Sequence, residues 1–365
     1  MGNYIVSARK YRPKGFEEVV GQSHITTTLT NAIGNEQIAQ AMLFCGPRGV
    51  GKTTCARIVA RMINGFEESD GNSLNIFELD AASNNSVEDI RNLIEQVRYP
   101  PQQGKYKVYI IDEVHMLSQS AFNAFLKTLE EPPAYAVFIL ATTEKHKVLP
   151  TILSRCQIYD FNRIQISDIA NHLKKIADTE GITADENALH LIAHKADGAL
   201  RDALSLFDLI VTFSGGKGVD YATTVDNLHI LDHDYYFNLV DHFLEGKHTE
   251  ALLVFNEIIE KGFDGQHFIG GLAAHLRNLL MSSDPKTVKL MDVPETVREQ
   301  FLGQSVKASS SWLVNALNLT SNADMQYKTS RNPRLTVELC LVKLSHLNKV
   351  LSMAQVEQAD AKKKA

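Results

Sequence analysis

Gly46-Pro47-Arg48-Gly49-Val50-Gly51-Lys52-Thr53 has the spacing G-x-x-x-x-G-K-[ST]. That pattern suits the gripping of phosphate. Glycines let backbone N–H groups converge on the oxygens, and a helix starting there adds partial positive charge. Lys52 would hold the β- and γ-phosphates of ATP and Thr53 would ligate Mg²⁺, with Thr54 next in the same set. Asp112-Glu113 supplies the second chemical pair. Asp112 is the expected partner of Mg²⁺, and Glu113 can orient or deprotonate an attacking water. Alone, an acidic pair after a strand is an ordinary solvated strand end. Downstream of a phosphate loop it reads as catalytic. His115, two residues further, could be catalytic, but reads by preference as a residue that supports the site from behind or as a structural one.

These groups need a scaffold that brings them to one edge. Ala41–Cys45 is a short apolar run that ends at the glycine-rich turn, and residues Thr53–Ile63 follow as a helix. Ile76–Leu79, Val108–Ile111 and Val137–Ala141 read as three more strands, Val108–Ile111 apolar throughout as a buried parallel strand is. Between them, Ser86–Arg98 carries apolar residues at helical spacing, with Ser86 and Asp89 placed as a helix cap. Ser120–Glu131 is a further helix, stopped by Pro132-Pro133. Strands alternating with helices imply a parallel sheet covered on both faces. After about residue 163 only helical periodicities remain, and Ser214–Gly218 is a glycine-rich boundary signal.

The expected organisation is therefore an α/β P-loop NTPase domain over 1–163, a small helical domain over 164–225, an all-helical domain over 226–350 and a flexible polar tail over 351–365. Composition agrees with a multidomain globular chain: 365 residues, 44% hydrophobic and 22% charged. With 37 basic and 43 acidic residues the net charge is −6. A chain that bound DNA by bulk electrostatics alone would usually be basic, so any nucleic-acid role must rest on local patches or partner chains. Four cysteines without a C-x-x-C pair read as reduced thiols. No apolar run approaches the ~20 residues needed to span a bilayer, and no signal-peptide core opens the chain. The expected location is cytoplasmic, without membrane contact.

Further segments choose among the many ATPases. They are residues 8–22 (ARKYRPKGFEEVVGQ), 78–91 (ELDAASNNSVEDIR), 107–133 (KVYIIDEVHMLSQSAFNAFLKTLEEPP), Ala141-Thr142-Thr143, Ser154-Arg155-Cys156 and Gly198-Ala199-Leu200-Arg201-Asp202. Together they closely resemble the gamma/tau subunits of bacterial DNA polymerase III, the AAA+ ATPase motors of the sliding-clamp loader. The resemblance covers nearly all of the first 210 residues and is weaker beyond.

The resemblance implies roles residue by residue. Thr143, beside Thr142, would be the sensor-1 group that reads the γ-phosphate. Arg155 would be the arginine finger that reaches a neighbouring subunit's ATP. Arg201 would be the sensor-2 arginine of the lid. Guanidinium donors suit both tasks because they stabilise charge developing on the transferred phosphoryl group. Lys127 is a further candidate to face a neighbour's nucleotide. Tyr11-Arg12-Pro13 with Val19-Val20 would form the adenine-side wall. The 226–350 region would be the collar that holds subunits in a ring, with delta- and delta-prime-type partners, the sliding clamp and primed DNA. Longer family members continue into polymerase- and helicase-binding domains, so a chain of 365 residues corresponds to a short form or to part of a long one.

One departure is visible. The family's four-cysteine zinc module would fall at Asn64–Asn75, which here contains no cysteine, so no zinc site is expected. Asn84, Asn85 and Ser86, at the start of a helix, with Arg91 beyond them, are the candidate DNA contacts. Plain helix capping is the equal alternative for that segment. Two competing functions are an assembly scaffold with a relic nucleotide site and another AAA+ remodeller, such as a branch-migration motor. Intact Lys52, Thr53, Asp112 and Glu113 oppose the first. The Ser154-Arg155-Cys156 triplet and the DAAS segment oppose the second.

Overall fold

The computed structural model describes residues 5–66, 75–102, 104–216, 218–228, 233–288, 291, 293 and 295–364. The chain divides into two compact units, Met1–Thr224 and Val225–Ala365.

The first unit begins with the short helix α1 (Ser7–Lys10) and α2 (Ser23–Gly34), followed by β1 (Ala41–Cys45) and α3 (Lys52–Met62). Next come β2 (Ile76–Asp80), α4 (Val87–Val97), β3 (Lys107–Asp112), α5 (Gln119–Glu130) and β4 (Ala136–Thr142). The short α6 (Pro150–Leu153) and β5 (Gln157–Asp160) complete the sheet. All pairings are parallel, in the order β2-β3-β4-β1-β5. The edge strand β5, which the sequence reading did not pick out, lies beside β1 and pairs Cys45 with Asp160. Only Tyr159 of its four residues is buried, so it lacks the apolar run that marks the inner strands.

Strand alternation explains why both faces are covered. Leu43, Tyr109, Ile111, Phe138 and Leu140 pack on one face with α4 and α5. Met42, Phe44, Val108, Ile110 and Ile139 pack on the other with α2 and α3. Each fully buried Leu, Ile or Phe removes enough apolar surface from water to contribute ~1.5–3 kcal/mol. The rings of Phe77, Tyr109 and Phe138 stack across three adjacent strands at 5.1 and 5.4 Å.

Three helices follow within the same unit: α7 (Ile166–Glu180), α8 (Glu186–Lys195) and α9 (Leu200–Phe213). Gly181, at φ 68°, ends α7 in the left-handed conformation that glycine tolerates. The helix α10 (Tyr221–Asn227) spans the boundary between the units.

The second unit is helical among its described residues: α11 (His233–Glu245), α12 (His248–Glu260), α13 (Gly265–Ser282), α14 (Pro285–Val288), α15 (Glu295–Ser305), α16 (Ser310–Tyr327) and α17 (Pro333–Lys364). Its core packs Phe243, Phe255, Phe268, Phe301 and the single Trp312 among aliphatic residues such as Leu272, Leu276 and Leu341. The segment expected as a tail from 351 falls on the last turns of α17, whose backbone is helical to Lys364. No helix among the described residues is long and apolar enough to cross a membrane.

Candidate nucleotide site

The cavity that matters lies in the first unit, where β1 and β3 end. It has a volume of about 480 Å³ and opens between the glycine-rich loop, the N-terminal segment and α9. The loop's course is set by glycine. Gly46 sits at φ 147°, and a Cβ there would meet the Phe161 carbonyl oxygen at 2.4 Å. Gly49 sits at φ 77°, with the Ala199 Cβ 3.0 Å from where its own Cβ would stand. The loop thus turns sharply and lies close against the start of α9. There the Arg201 amide donates to the Gly49 carbonyl at 3.3 Å.

Lys52 opens α3 and is 6% exposed. Its ammonium donates to the carbonyls of Gly46 at 2.6 Å and Pro47 at 2.7 Å. Burial pulls its pKa below the ordinary lysine value, while the nearby charges of Glu113 and Asp112 oppose that shift. A buried ammonium held only by loop carbonyls gains strongly from a phosphate arriving beside it.

The next residue links the two motifs. The Thr53 hydroxyl donates to Asp112 Oδ2 at 2.6 Å. A hydroxyl and a carboxylate brought together at the mouth of a phosphate loop are oxygen donors of the kind Mg²⁺ takes. The residues present therefore fit that ion. Among the described residues no cluster of three or more His, Cys, Asp or Glu could hold a metal. The expectation of no zinc falls largely on residues 67–74, which lie outside the described residues.

Glu113 is held in an uncommon way. Its backbone is left-handed, at φ 47°, a conformation that costs a non-glycine residue energy and recurs at functional sites. Its amide donates to Asp112 Oδ1 at 2.9 Å. Its carboxylate turns toward the end of β4, where Oε2 accepts from the Thr143 amide at 3.2 Å and the Thr143 hydroxyl at 3.0 Å. His115 lies beneath this contact, its side chain 8% exposed. Its Nδ1 is 3.0 Å from Thr142 Oγ1 and 3.4 Å from Glu113 Oε2, and its Nε2 is 3.3 Å from Glu144 Oε2.

Most expected site residues meet here. Tyr11, Arg12, Pro13, Val19, Val20, Arg48 to Thr54, Asp112, Glu113 and Arg201 all line the cavity. Gly46 and Pro47 join through Lys52, and Thr143 through Glu113. Ala8, Asp80, Ala82, Ile164, Leu200 and Leu204 also line it and were not anticipated. For Asp80 a signal existed: like Asp112 it is an acidic residue closing a strand-like run, and the structure sets the two in register. The N-terminal segment is tied to α7 and α9. The Ser7 amide and hydroxyl both donate to the Asp208 carboxylate, the amide at 2.7 Å, and Lys10 and Tyr11 both donate to Glu180.

Other expected residues stand apart. Arg155 follows α6 and does not line the cavity. It donates to Glu130 Oε1 at 2.5 Å and to the Thr151 carbonyl at 2.6 Å, with its side chain 33% exposed. Lys127 is exposed on the same helix as Glu130. Ser86 forms a full capping box with Asp89, so its hydroxyl is used by its own helix. Asn84 donates to the Asp80 carbonyl, and Arg91 pairs with Glu88 at 3.5 Å. Burial pushes Cys45 up to about 11 and Cys55 up to about 12, as expected of packed thiols beside the loop.

Three families match in succession. One described as DNA polymerase III, delta subunit, matches residues 21–165. One described as DNA polymerase III clamp loader subunit, ATPase lid domain, matches residues 168–216. One described as DNA polymerase III subunits gamma and tau domain III matches residues 219–358. Among similar proteins, DNA polymerase III subunit tau of Bacillus subtilis is 38% identical over 94% of this chain and 63% of its own length. DNA polymerase III subunit gamma of Buchnera aphidicola is 33% identical over 94% of this chain and 99% of its own length. The tau subunit of Escherichia coli is 35% identical, and the chain spans 55% of its length. A solved Thermotoga maritima RuvB variant shares the fold, with a TM-score of 0.50 at 19% identity over 81% of this chain and 91% of that one.

Proposed function

Because the chain belongs to the DNA polymerase III gamma/tau family, we propose that it is the ATP-hydrolysing motor subunit of a clamp loader. In this reading it acts in the cytoplasm, in a ring with delta- and delta-prime-type subunits. ATP binding and hydrolysis then drive a sliding clamp onto primed DNA. The chain spans under two thirds of several of its tau relatives, so this is a statement about the portion in hand.

One observation carries the reading. Lys52, Thr53, Asp112 and Glu113 converge on one cavity, and Thr143 touches Glu113 from the neighbouring strand. A relic nucleotide site would have no need of that arrangement. On ATP binding, Lys52 exchanges its two carbonyl partners for the β- and γ-phosphates. Thr53 and Asp112 would hold Mg²⁺, which neutralises charge on the phosphate oxygens. Glu113 orients the attacking water and takes its proton. The Thr143 hydroxyl reads the γ-phosphate, and Arg201 approaches the phosphates from α9. Tyr11, Arg12 and Pro13 wall the adenine side. Arg155, which does not line the cavity of its own chain, would serve a neighbour's nucleotide. Asn84, Asn85 and Arg91 remain candidate DNA contacts; Ser86 is better explained as a cap.

The test is ATP turnover by the chain alone and with its partner subunits, with and without clamp and primer–template. Turnover should rise with clamp and primed DNA and vanish in K52A. Stimulated turnover surviving in K52A would sink the reading.

A further inference from the structure

Beside the cavity, against Glu113, stands an ionisable group that the proposed chemistry does not use. His115 sits between two carboxylates, almost out of solvent, and each ring nitrogen faces an oxygen. Through Nδ1 it meets Thr142 Oγ1 at 3.0 Å and Glu113 Oε2 at 3.4 Å. Through Nε2 it meets Glu144 Oε2 at 3.3 Å, and Glu144 is itself paired with Lys147 at 2.5 Å. The Thr142 hydroxyl also accepts from the Glu144 amide at 3.0 Å. The ends of β3 and β4 are thus joined twice, once by Thr143 on Glu113 and once by His115.

The two links have different fates. Thr143 holds Glu113 with its amide and hydroxyl, but that hydroxyl is also the group assigned to the γ-phosphate. When nucleotide draws it away, Glu113 loses a donor at the moment its carboxylate must point at water. The Thr142–Glu144 anchor of His115 does not involve the nucleotide, so the ring stays in place.

We propose that His115 is a positioning residue that, through Nδ1, keeps Glu113 aimed for water activation once Thr143 turns to the nucleotide. This rests on the ATPase reading. It explains why a histidine, and not an apolar residue, fills a nearly closed space at the foot of β3. A general base contributes ~10²–10⁴ in rate only when its proton-accepting oxygen is held in line, so misaiming it forfeits part of that factor.

The test compares H115A, H115N and H115Q in the full chain, measuring kcat, KM and nucleotide affinity under the conditions that give wild-type turnover. An asparagine amide reaches the Nδ1 position, whereas a glutamine amide reaches Nε2. H115A and H115Q should lose about tenfold to a hundredfold in kcat, with ATP affinity within about twofold. H115N should recover most of the rate. If H115A fails to fold, the H115N and H115Q pair decides alone. Unchanged kcat in the variants, equal loss in H115N and H115Q, or loss of affinity matching the loss of rate would overturn the proposal. E113Q serves as control. No ATP turnover by the wild-type chain would sink the ATPase reading and this inference together, whereas wild-type turnover with an unaffected H115Q would remove only the inference.

Discussion

Thr143 donates both its amide and its hydroxyl to the same oxygen of Glu113, across the ends of two neighbouring parallel strands. The residue assigned to sense a γ-phosphate is therefore already bonded to the residue assigned to activate water. Neither can move without the other registering it, which in the proposed reading would link nucleotide occupancy to the aim of the base.

T143V tests that link. The valine keeps the amide bond to Glu113 and removes the hydroxyl. Turnover should fall about tenfold to a hundredfold while nucleotide affinity changes little, because in the proposed reading the hydroxyl has passed from Glu113 to the γ-phosphate, where its bond strengthens as charge develops in the transition state. Equilibrium binding of a fluorescent nucleotide, set beside steady-state turnover, separates the two.

Arg155 should matter only in an assembly. Its partner Glu130 is 47% exposed, and exposed ion pairs are worth ~0–1 kcal/mol, so R155A should melt within a few degrees of wild type. Nucleotide binding by the isolated chain should be unchanged. Turnover with partner subunits should drop by ~10³ or more, as for a lost arginine finger. The same drop in the isolated, monomeric chain would show that Arg155 acts within its own subunit.

Ser86 separates capping from DNA contact. Its capping box predicts that S86A lowers stability by about 0.5–2 kcal/mol. Affinity for primed DNA should be nearly unchanged, since the hydroxyl is already engaged with Asp89. Denaturant melts and a DNA titration on the same preparation read out both. A large loss of DNA affinity at intact stability would restore Ser86 as a contact.

His275 predicts an acid sensitivity of the second unit. It is 2% exposed among Tyr236, Phe237 and Phe301, and burial drops its pKa from 6.5 to about 3. The neutral ring is favoured in the fold, while the unfolded chain takes a proton below about pH 6.5. This contribution to stability is complete above that pH and declines as pH falls toward 3, by an amount of order 5 kcal/mol. H275Q, which keeps a polar side chain near Gln304, should flatten that slope in melts between pH 7 and 4.

The sequence by itself determined the chemistry available and much of the scaffold. The G-x-x-x-x-G-K-T spacing, the apolar runs feeding it and Asp112-Glu113 are all local patterns. Local patterns survive because strand burial and helix periodicity are written within a few residues. The inner strands, α3, α4, α5 and the meeting of Thr53 with Asp112 were legible for that reason. What only the tertiary structure decided depends on residues far apart in the chain. No pattern near Glu113 announces its left-handed backbone or the turn of its carboxylate to Thr143, thirty residues on. Nor does any pattern announce that Ser7 is held by Asp208, that Gly49 lies against Ala199, or that His115 joins two strand ends. Such contacts exist because a parallel sheet brings the C-terminal ends of distant strands to one edge. The groups at those ends are neighbours in space by topology and strangers in sequence.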